Sequence, residues 1–271
     1  MKYTINHLKA EFPSNEACLD HIFKTKHPYA KGYTAMTKRK AYANSTGHQI
    51  HPLAGTIFEK SSTPLTTWFH VLFLFASSKN GVSAKEIQRQ TGVTYKTAWR
   101  MGHQIRKLME QGTDPLVGTV EVDETYFGPR GKNPDKFRVK TALMGMVERG
   151  GSVRVKKIPH RGTEVLLPMI KQNISPKAHL MTDEFRVYNK TPKLGYAHSS
   201  VKHGKRHWVH KGAHTNTIEG FWGQLKRSMR GTYHFVSSQH LQAYVDEFAW
   251  RYNERASSVP MFQTLVWKAS R

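Results

Sequence analysis

Hydrophobic and polar positions predict a helical N-terminal region. Apolar residues recur at helical spacing over 64–78 and again over 83–109. The first sixty residues show only weak periodicity and are expected to be irregular. A linker at 111–118 then separates this region from one with a different pattern.

The pattern after this linker combines alternating strands with helices. The predicted elements are strands over 119–127, 140–150, 152–160, 179–184 and 197–203, and helices over 163–174, 216–230, 237–255 and 260–269. Their order is close to βββαβαβα. The prediction is therefore an α/β fold with a ribonuclease H-like (retroviral integrase-type) domain.

Residues 83–109 predict two helices joined by a turn at 91–93. Ser83 and Glu86 have capping-box spacing, and Thr94 is placed to cap the second helix. This is the helix-turn-helix pattern, whose second helix enters the DNA major groove. The residues then expected to face DNA are Tyr95, Lys96, Thr97 and Arg100. An ordinary helical hairpin is the alternative, because the motif is short.

Composition adds a partner to this picture. The 271 residues contain 42 Lys and Arg against 19 Asp and Glu, a formal charge of +23. The first 110 residues hold 16 of these bases and 6 of the acids, so the excess is not confined to a tail. A chain that is basic along its length indicates a polyanionic partner, and nucleic acid is the usual one.

Other classes of protein fit the sequence less well. The most apolar run, 67–76, has about half of the ~20 residues that a membrane-spanning helix needs, and His70 interrupts it. The first residues lack the apolar segment of a signal peptide. Cys18 is the only cysteine, so no disulfide forms within the chain. We therefore expect a soluble cytoplasmic protein that does not associate with membranes.

Three carboxylates are placed to share one site. Asp123 alternates with valines on the first predicted strand and therefore shares a face with Glu121 and Thr125. Asp183 ends a short apolar strand, and Glu219 lies on a later helix. Converging carboxylates repel one another unless a hard cation lies between them, and such a trio commonly holds two Mg²⁺ ions. Glu124 and Glu184 are the alternatives to their neighbours Asp123 and Asp183.

The helix that contains Glu219 is amphipathic. Its apolar stripe includes Trp222, which we interpret as a core residue; the alternative is stacking on an unpaired base, as for Trp208. The opposite stripe is basic and faces the expected substrate. The residues of this region predicted to bind DNA are His214, Asn216, Lys226, Arg227 and Arg230. The histidines at 198, 203, 207 and 210 are interpreted as further DNA contacts, with metal binding as the alternative.

The spacing Asp123, Asp183, x35, Glu219 resembles the DDE signature of transposases and retroviral-type integrases. The segments VEVDETYFG, LMTDEFRVYN, HTNTIEGFWGQLKRSMRGTYHFVS and DEFAWRYNER are similar to the ISXO2-like insertion-sequence transposases. With GVSAKEIQRQTGVTYKTAWRM and PLAGTIFEKSSTPLTTWF, the resemblance covers about residues 50–256.

The resemblance implies that the three acids form a metal-binding catalytic triad that uses Mg²⁺, with Mn²⁺ able to substitute. It implies cleavage at the ends of an insertion sequence and strand transfer into target DNA. The partners would be double-stranded DNA, both the terminal inverted repeats and the target, and further copies of the chain, because two ends must be brought together. A structure-specific nuclease and a non-catalytic DNA-binding regulator remain as alternatives.

One departure from the family concerns zinc. Family members commonly begin with two Cys-x-x-Cys pairs, but here the first reads Cys18-Leu19-Asp20-His21, and Ala43 and Thr46 replace the second. One thiolate does not make a convincing tetrahedral site, so zinc is not expected unless His48 or His51 supplies a different one. We expect a degenerate zinc-ribbon-like DNA-binding module at 1–60 and a helix-turn-helix DNA-binding region at 61–112. A ribonuclease H-like catalytic domain is expected at 117–256, and a C-terminal helix at 257–271.

Overall fold

The computed structural model describes residues 3–37, 39–128, 140–201 and 214–271. The chain forms two compact units, Met1–Met109 with Ala256–Arg271, and Glu110–Arg255. The last helix therefore groups with the N-terminal residues, although the sequence analysis treated it as a separate segment.

The first unit is mainly helical. Its helices are α1 (Ile5–Glu11), α2 (Asn15–Lys26), α3 (Leu65–Ser77), α4 (Ala84–Thr91) and α5 (Tyr95–Leu108), and its strands are β1 (Thr34–Ala35), β2 (Tyr42–Ala43) and β3 (Gln49–Ile50). The short strands pair antiparallel in the order β1-β2-β3. The apolar run of α3 lies in the core of this unit, with Trp68, Phe69 and Phe75 buried. In the described parts of the chain, no helix is both long and apolar enough to cross a bilayer.

The expectation that residues 1–60 are irregular was wrong. Two helices form there because each has a strong N-cap. The Thr4 side chain accepts a hydrogen bond from His7 N, and the Ser14 side chain accepts one from Ala17 N. These caps stabilise helices whose polar residues hide the apolar period from sequence inspection.

The two helices predicted over 83–109 are present as α4 and α5. The Ser83 side chain caps α4 by accepting from Glu86 N, and the Thr94 side chain caps α5 by accepting from Thr97 N. Gly92 ends α4 in the left-handed region at φ 73°, a conformation that glycine adopts without strain. The predicted caps and turn are therefore confirmed, whereas the DNA-binding role stays a prediction.

The second unit is built on a mixed five-stranded sheet. Its strands are β4 (Thr119–Phe127), β5 (Thr141–Glu148), β6 (Val153–Ile158), β7 (His179–Thr182) and β8 (Ala197–Ser200), and its helices are α6 (Thr163–Asn173), α7 (Asn216–Ser228) and α8 (Ser238–Asn253). The strand order is β6-β5-β4-β7-β8. The first three strands pair antiparallel, and β7 and β8 continue the sheet in parallel with β4.

Helices cover both faces of this sheet. Val120 and Val122 of β4 pack with α6 residues such as Leu166 in one core cluster. On the other face, Leu143 and Val155 pack with apolar residues of α7 and α8. Because side chains alternate along a strand, the residues between the valines of β4 point towards α7. The final helix α9 (Met261–Ala269) belongs to the first unit.

Candidate active site

Asp123 lies on the face of β4 that packs against α7. Its Oδ2 atom accepts a hydrogen bond of 3.0 Å from Trp222 Nε1. Two residues along the strand, the Lys226 ammonium donates to Thr125 Oγ1. Two residues along a strand advance about 6.8 Å, and four residues along a helix advance about 6.0 Å. Alternate residues on one face of β4 therefore meet successive turns of α7. The predicted common face of Asp123 and Thr125 is confirmed.

Glu121, one step earlier on the same face, joins β4 to the start of α7. Its carboxylate is fully buried. It accepts hydrogen bonds from Thr217 N at 2.8 Å, Ile218 N at 3.0 Å and Thr217 Oγ1 at 2.9 Å. The α7 N-cap residue makes no side-chain cap bond. Glu121 therefore caps the helix from the neighbouring strand.

Two further groups surround the Glu121 carboxylate. Arg149 Nε donates to Glu121 Oε1 at 2.8 Å, and Arg149 Nη2 donates to the His214 carbonyl at 2.8 Å. His214 Nδ1 lies 3.2 Å from Glu121 Oε1. His214, predicted to bind DNA, is thus part of the structure that fixes the start of α7.

The two other predicted acids act electrostatically on Asp123. The pKa of Asp123 is raised to about 6, mainly by burial and then by the nearby charges of Asp183 and Glu219, against the hydrogen bond from Trp222. Asp183 follows β7, the parallel neighbour of β4, and its Oδ1 accepts from Phe185 N at 2.9 Å. The fold thus brings Asp183 and Glu219 near Asp123.

The alternative ligand Glu124 points to the other face of β4. The Tyr188 hydroxyl donates to its carboxylate. Burial raises the pKa of Glu124 to about 8, with contributions from the charges of Asp123 and Asp183 and a partial offset from Arg161. The second alternative, Glu184, is exposed to solvent.

The chemistry of the three acids suits a hard divalent cation, whereas their present arrangement does not form a ligand cluster. All three offer carboxylate oxygens, the ligands that Mg²⁺ prefers, and their mutual repulsion is what a cation between them would relieve. Among the residues described, however, no three His, Cys, Asp or Glu side chains stand in an arrangement that could hold a metal ion. Glu219 Oε1 instead accepts a hydrogen bond of 2.8 Å from Thr215 Oγ1.

The basic face of α7 is open to solvent. Asn216, Arg227 and Arg230 are exposed, while Lys226 is half-buried beside Thr125. Burial lowers the pKa of Lys226, and the positive charges of Arg230 and Lys140 lower it further. Trp222 is only 5% exposed, which confirms that it is a core residue.

The predicted DNA-facing residues of α5 lie mostly on its exposed side. Tyr95, Lys96 and Arg100 are exposed. Thr97 is half-buried, because its hydroxyl lies 3.0 Å from Thr94 Oγ1 at the helix cap. Trp99, which the sequence analysis did not select, is 40% exposed on the same helix.

Only part of the histidine group falls within the described residues. His198 Nε2 lies 2.9 Å from Thr182 Oγ1, so this side chain links β8 to β7. Burial lowers the pKa of His198, and the charge of His179 lowers it further. The predictions for residues 203, 207, 208 and 210 lie outside the described residues.

The proposed remnant of a zinc site is poorly suited to zinc. Cys18 lies within α2 and is fully buried. Burial raises the pKa of its thiol to about 12, which disfavours the thiolate that zinc binds. Ala43 lies in β2, where the family would place a cysteine.

Sequence reasoning missed two residues that position the site. Glu121 shares the strand face of Asp123, and a second acid two residues before a candidate ligand was the available signal. Gly145 lies on β5 beneath α7, where an added Cβ would stand 2.7 Å from Ile218 Cδ1 and closer still to the Trp222 ring. A glycine inside an apolar strand often marks such a close approach.

Several known proteins are similar in sequence to this chain. Residues 115–253 match the ISXO2-like transposase domain. A transposase-like protein of Haemophilus influenzae is 27% identical over 111 residues, which is 40% of this chain and 89% of that protein. A protein in the transposable element ISH50 of Halobacterium salinarum is 25% identical over 219 residues, 73% of this chain and 72% of that protein.

A likeness among solved structures is weaker. The simian T-cell lymphotropic virus intasome in complex with PP2A regulatory subunit B56 gamma is similar at 12% identity, covering 71% of this chain and 76% of that one, with a TM-score of 0.34. This TM-score is too low to assign a fold. The sequence match, which spans more than half of the chain, does assign the family: the chain belongs to the ISXO2-like transposases.

Proposed function

We propose that this protein is a DNA transposase that cuts the ends of an insertion sequence and joins them to target DNA, with Asp123, Asp183 and Glu219 as its catalytic acids. The observation that carries the proposal is the placement of the three acids: Asp123 accepts a hydrogen bond from Trp222 of the helix that also contains Glu219, and Asp183 follows β7, the parallel neighbour of β4. Acids held near one another on a strand, a strand end and a helix fit a cation-dependent phosphodiester site.

The sheet topology supports a ribonuclease H-like fold for the second unit. Three antiparallel strands are followed by two strands parallel to the first, and helices cover both faces. Asp123 lies on the central strand, and Asp183 follows the strand beside it. Asp183 therefore lies at a strand end, where α/β sheets commonly bind ligands, next to the strand whose middle contains Asp123.

Within the proposed site each residue has a separate task. Asp123, Asp183 and Glu219 would hold Mg²⁺ or Mn²⁺, which supplies the Lewis acid for attack on phosphorus. Glu219 would leave Thr215 and turn towards Asp123 when the site is filled. Trp222 orients the Asp123 carboxylate by its hydrogen bond. Lys226, held beside Thr125, is placed to bind a phosphate of the cleaved strand.

The first unit would hold the DNA. Tyr95, Lys96 and Arg100 present an exposed, partly basic surface on α5, the second helix of the helix-turn-helix pattern. Transposition joins two ends at once, so we propose that the chain works as a dimer or larger assembly on double-stranded DNA. The formal charge of +23 supports a long phosphate contact.

The test uses purified protein and a duplex that contains the DNA flanking its own gene, with Mg²⁺ or Mn²⁺. Glu219→Gln removes one charge of the proposed site and keeps its shape. Glu184→Gln is the matched control, because Glu184 is exposed and lies directly beside Asp183. We expect cleavage and joining in the wild type and in Glu184→Gln, and neither in Glu219→Gln, with DNA binding retained by all three.

Other outcomes identify the alternatives. Equal activity in Glu219→Gln and wild type would exclude Glu219 from the site. Cleavage of branched DNA without joining of a pre-cleaved 3′-hydroxyl end would identify a nuclease. Tight binding without cleavage in any variant would identify a DNA-binding regulator.

A further inference from the structure

A strained turn follows the helix that holds Glu219. The chain leaves α7 through a π-helix at Met229–Tyr233 and turns at His234 with φ 57° and ψ −57°. Phe235 N donates to the Tyr233 carbonyl at 2.6 Å across this turn. This is a γ-turn with positive central φ, which is rare and strained for a residue with a side chain.

Buried contacts on the preceding residue hold this turn in place. The Tyr233 hydroxyl donates to the Glu247 carboxylate at 3.0 and 3.1 Å, and its ring packs edge-on against Tyr244 at 4.7 Å. Glu247 is fully buried and accepts from Arg251 Nη2 at 2.7 Å. Local strain persists where the surrounding structure fixes it, and such strain concentrates at functional sites.

The strained turn presents an aromatic side chain to solvent. Phe235 is 70% exposed, although its neighbour Tyr233 is anchored in the interior. Core packing therefore gives no reason for an aromatic residue at this position. The stretch 220–245 includes Lys226, Arg227 and Arg230 and contains no Asp or Glu. An exposed aromatic ring within an acid-free, basic segment favours a partner that offers both phosphates and flat bases.

We propose that Phe235 is a stacking wedge that enters the DNA beside the cleavage site and holds one base step unstacked. The inference rests on the proposed function, since it assumes DNA as the substrate. Apolar side chains of this kind are inserted between base pairs by proteins that kink DNA, and aromatic rings stack on bases of any sequence.

The experiment places 2-aminopurine, which brightens when it is unstacked, at single positions of the flanking duplex. It is done in Glu219→Gln protein so that the DNA stays uncut. Phe235→Ala removes the ring and Phe235→Trp keeps a stacking surface. Val117→Ala is the control, because Val117 is a 51% exposed apolar residue of the second unit that the proposed site does not use. Phe235 is largely exposed, so its variants should fold, and a melting curve of each checks this.

We expect brightening at one or two adjacent positions that Phe235→Trp retains and Phe235→Ala loses, with binding weakened at least about fivefold in Phe235→Ala. Val117→Ala should match the parent. Brightening that persists in Phe235→Ala, or DNA binding with no brightening at any position, would overturn the wedge. So would a change of oligomeric state in Phe235→Ala without DNA, which would make Phe235 a protein contact.

The outcomes that would overturn the proposed function differ from those that would overturn the wedge. Brightening that depends on Phe235, combined with wild-type protein that never cuts DNA, would support the wedge and overturn the transposase mechanism. Absence of any DNA binding would overturn both.

Discussion

Replacing Glu121 should destabilise the protein far more than replacing Glu219, although both are single acids near the same helix. Glu121→Ala leaves the Thr217 and Ile218 N–H groups without their acceptor and leaves Arg149 without its carboxylate. Each unsatisfied buried donor costs about 1–3 kcal/mol, and breaking a buried ion pair costs about 3–5 kcal/mol. Since these terms overlap, we expect a total loss of about 3–5 kcal/mol.

Glu121→Gln should recover only part of this loss. One carboxylate oxygen accepts from Thr217 N and Ile218 N, while the other accepts from Arg149 Nε and Thr217 Oγ1. Whichever way the amide points, its NH₂ group faces donors. Glutamine therefore cannot satisfy both sides.

The assay is urea unfolding followed by circular dichroism, with hydrogen exchange at the Thr217 and Ile218 amides. Glu219→Gln is the comparison, because Glu219 is exposed and its loss should change stability by less than about 0.5 kcal/mol. Exchange should accelerate at both amides in Glu121→Ala and stay slow in Glu219→Gln. A loss below about 1 kcal/mol in Glu121→Ala would refute the view that this residue caps α7.

Three further predictions follow from packing and charge. Gly145→Ala should lower the free energy of unfolding in urea by roughly 1–3 kcal/mol, because the new methyl would stand 2.7 Å from Ile218 Cδ1. Gly220→Ala, with open space around it, should gain stability. Equal values for the two variants would contradict this. Native Cys18 should resist iodoacetamide at pH 8 and react once the chain unfolds, because burial raises the pKa of its thiol to about 12. Rapid labelling of the folded protein, measured by mass spectrometry, would refute its burial. Burial raises the pKa of Asp246, so its charged form opposes folding, and native stability is lost as the pH rises through that pKa. In thermal melts, Asp246→Asn should therefore be more stable than wild type at neutral pH. This gain should shrink as the pH falls through the raised pKa.

The sequence was sufficient to predict the elements with strong local signals. The α4–α5 turn follows from Ser83, Gly92 and Thr94, which act through neighbouring backbone groups. The common face of Asp123 and Thr125 follows from strand alternation alone. These features depend on residues close in the chain, so a single sequence contains the information.

The features that sequence inspection missed depend on distant residues. Glu121 meets the Thr217 amide 96 positions later, and only the packing of α7 on β4 brings them together. Gly145 matters because Trp222 lies above it. Helices α1 and α2 are the exception, because their caps Thr4 and Ser14 are local; these helices were missed because their apolar period is weak.

The central proposal is that Asp123, Asp183 and Glu219 together hold the divalent cations of one catalytic site. The most direct measurement replaces Mg²⁺ with Fe²⁺ in the DNA-bound protein and adds ascorbate and peroxide, so that radicals formed at the metal cut the nearby backbone. We expect backbone cuts near all three acids, suppressed by excess Mg²⁺ and lost in Asp123→Asn. Cuts confined to the histidine-rich stretch 198–214, or cuts that remain unchanged in Asp123→Asn, would contradict it.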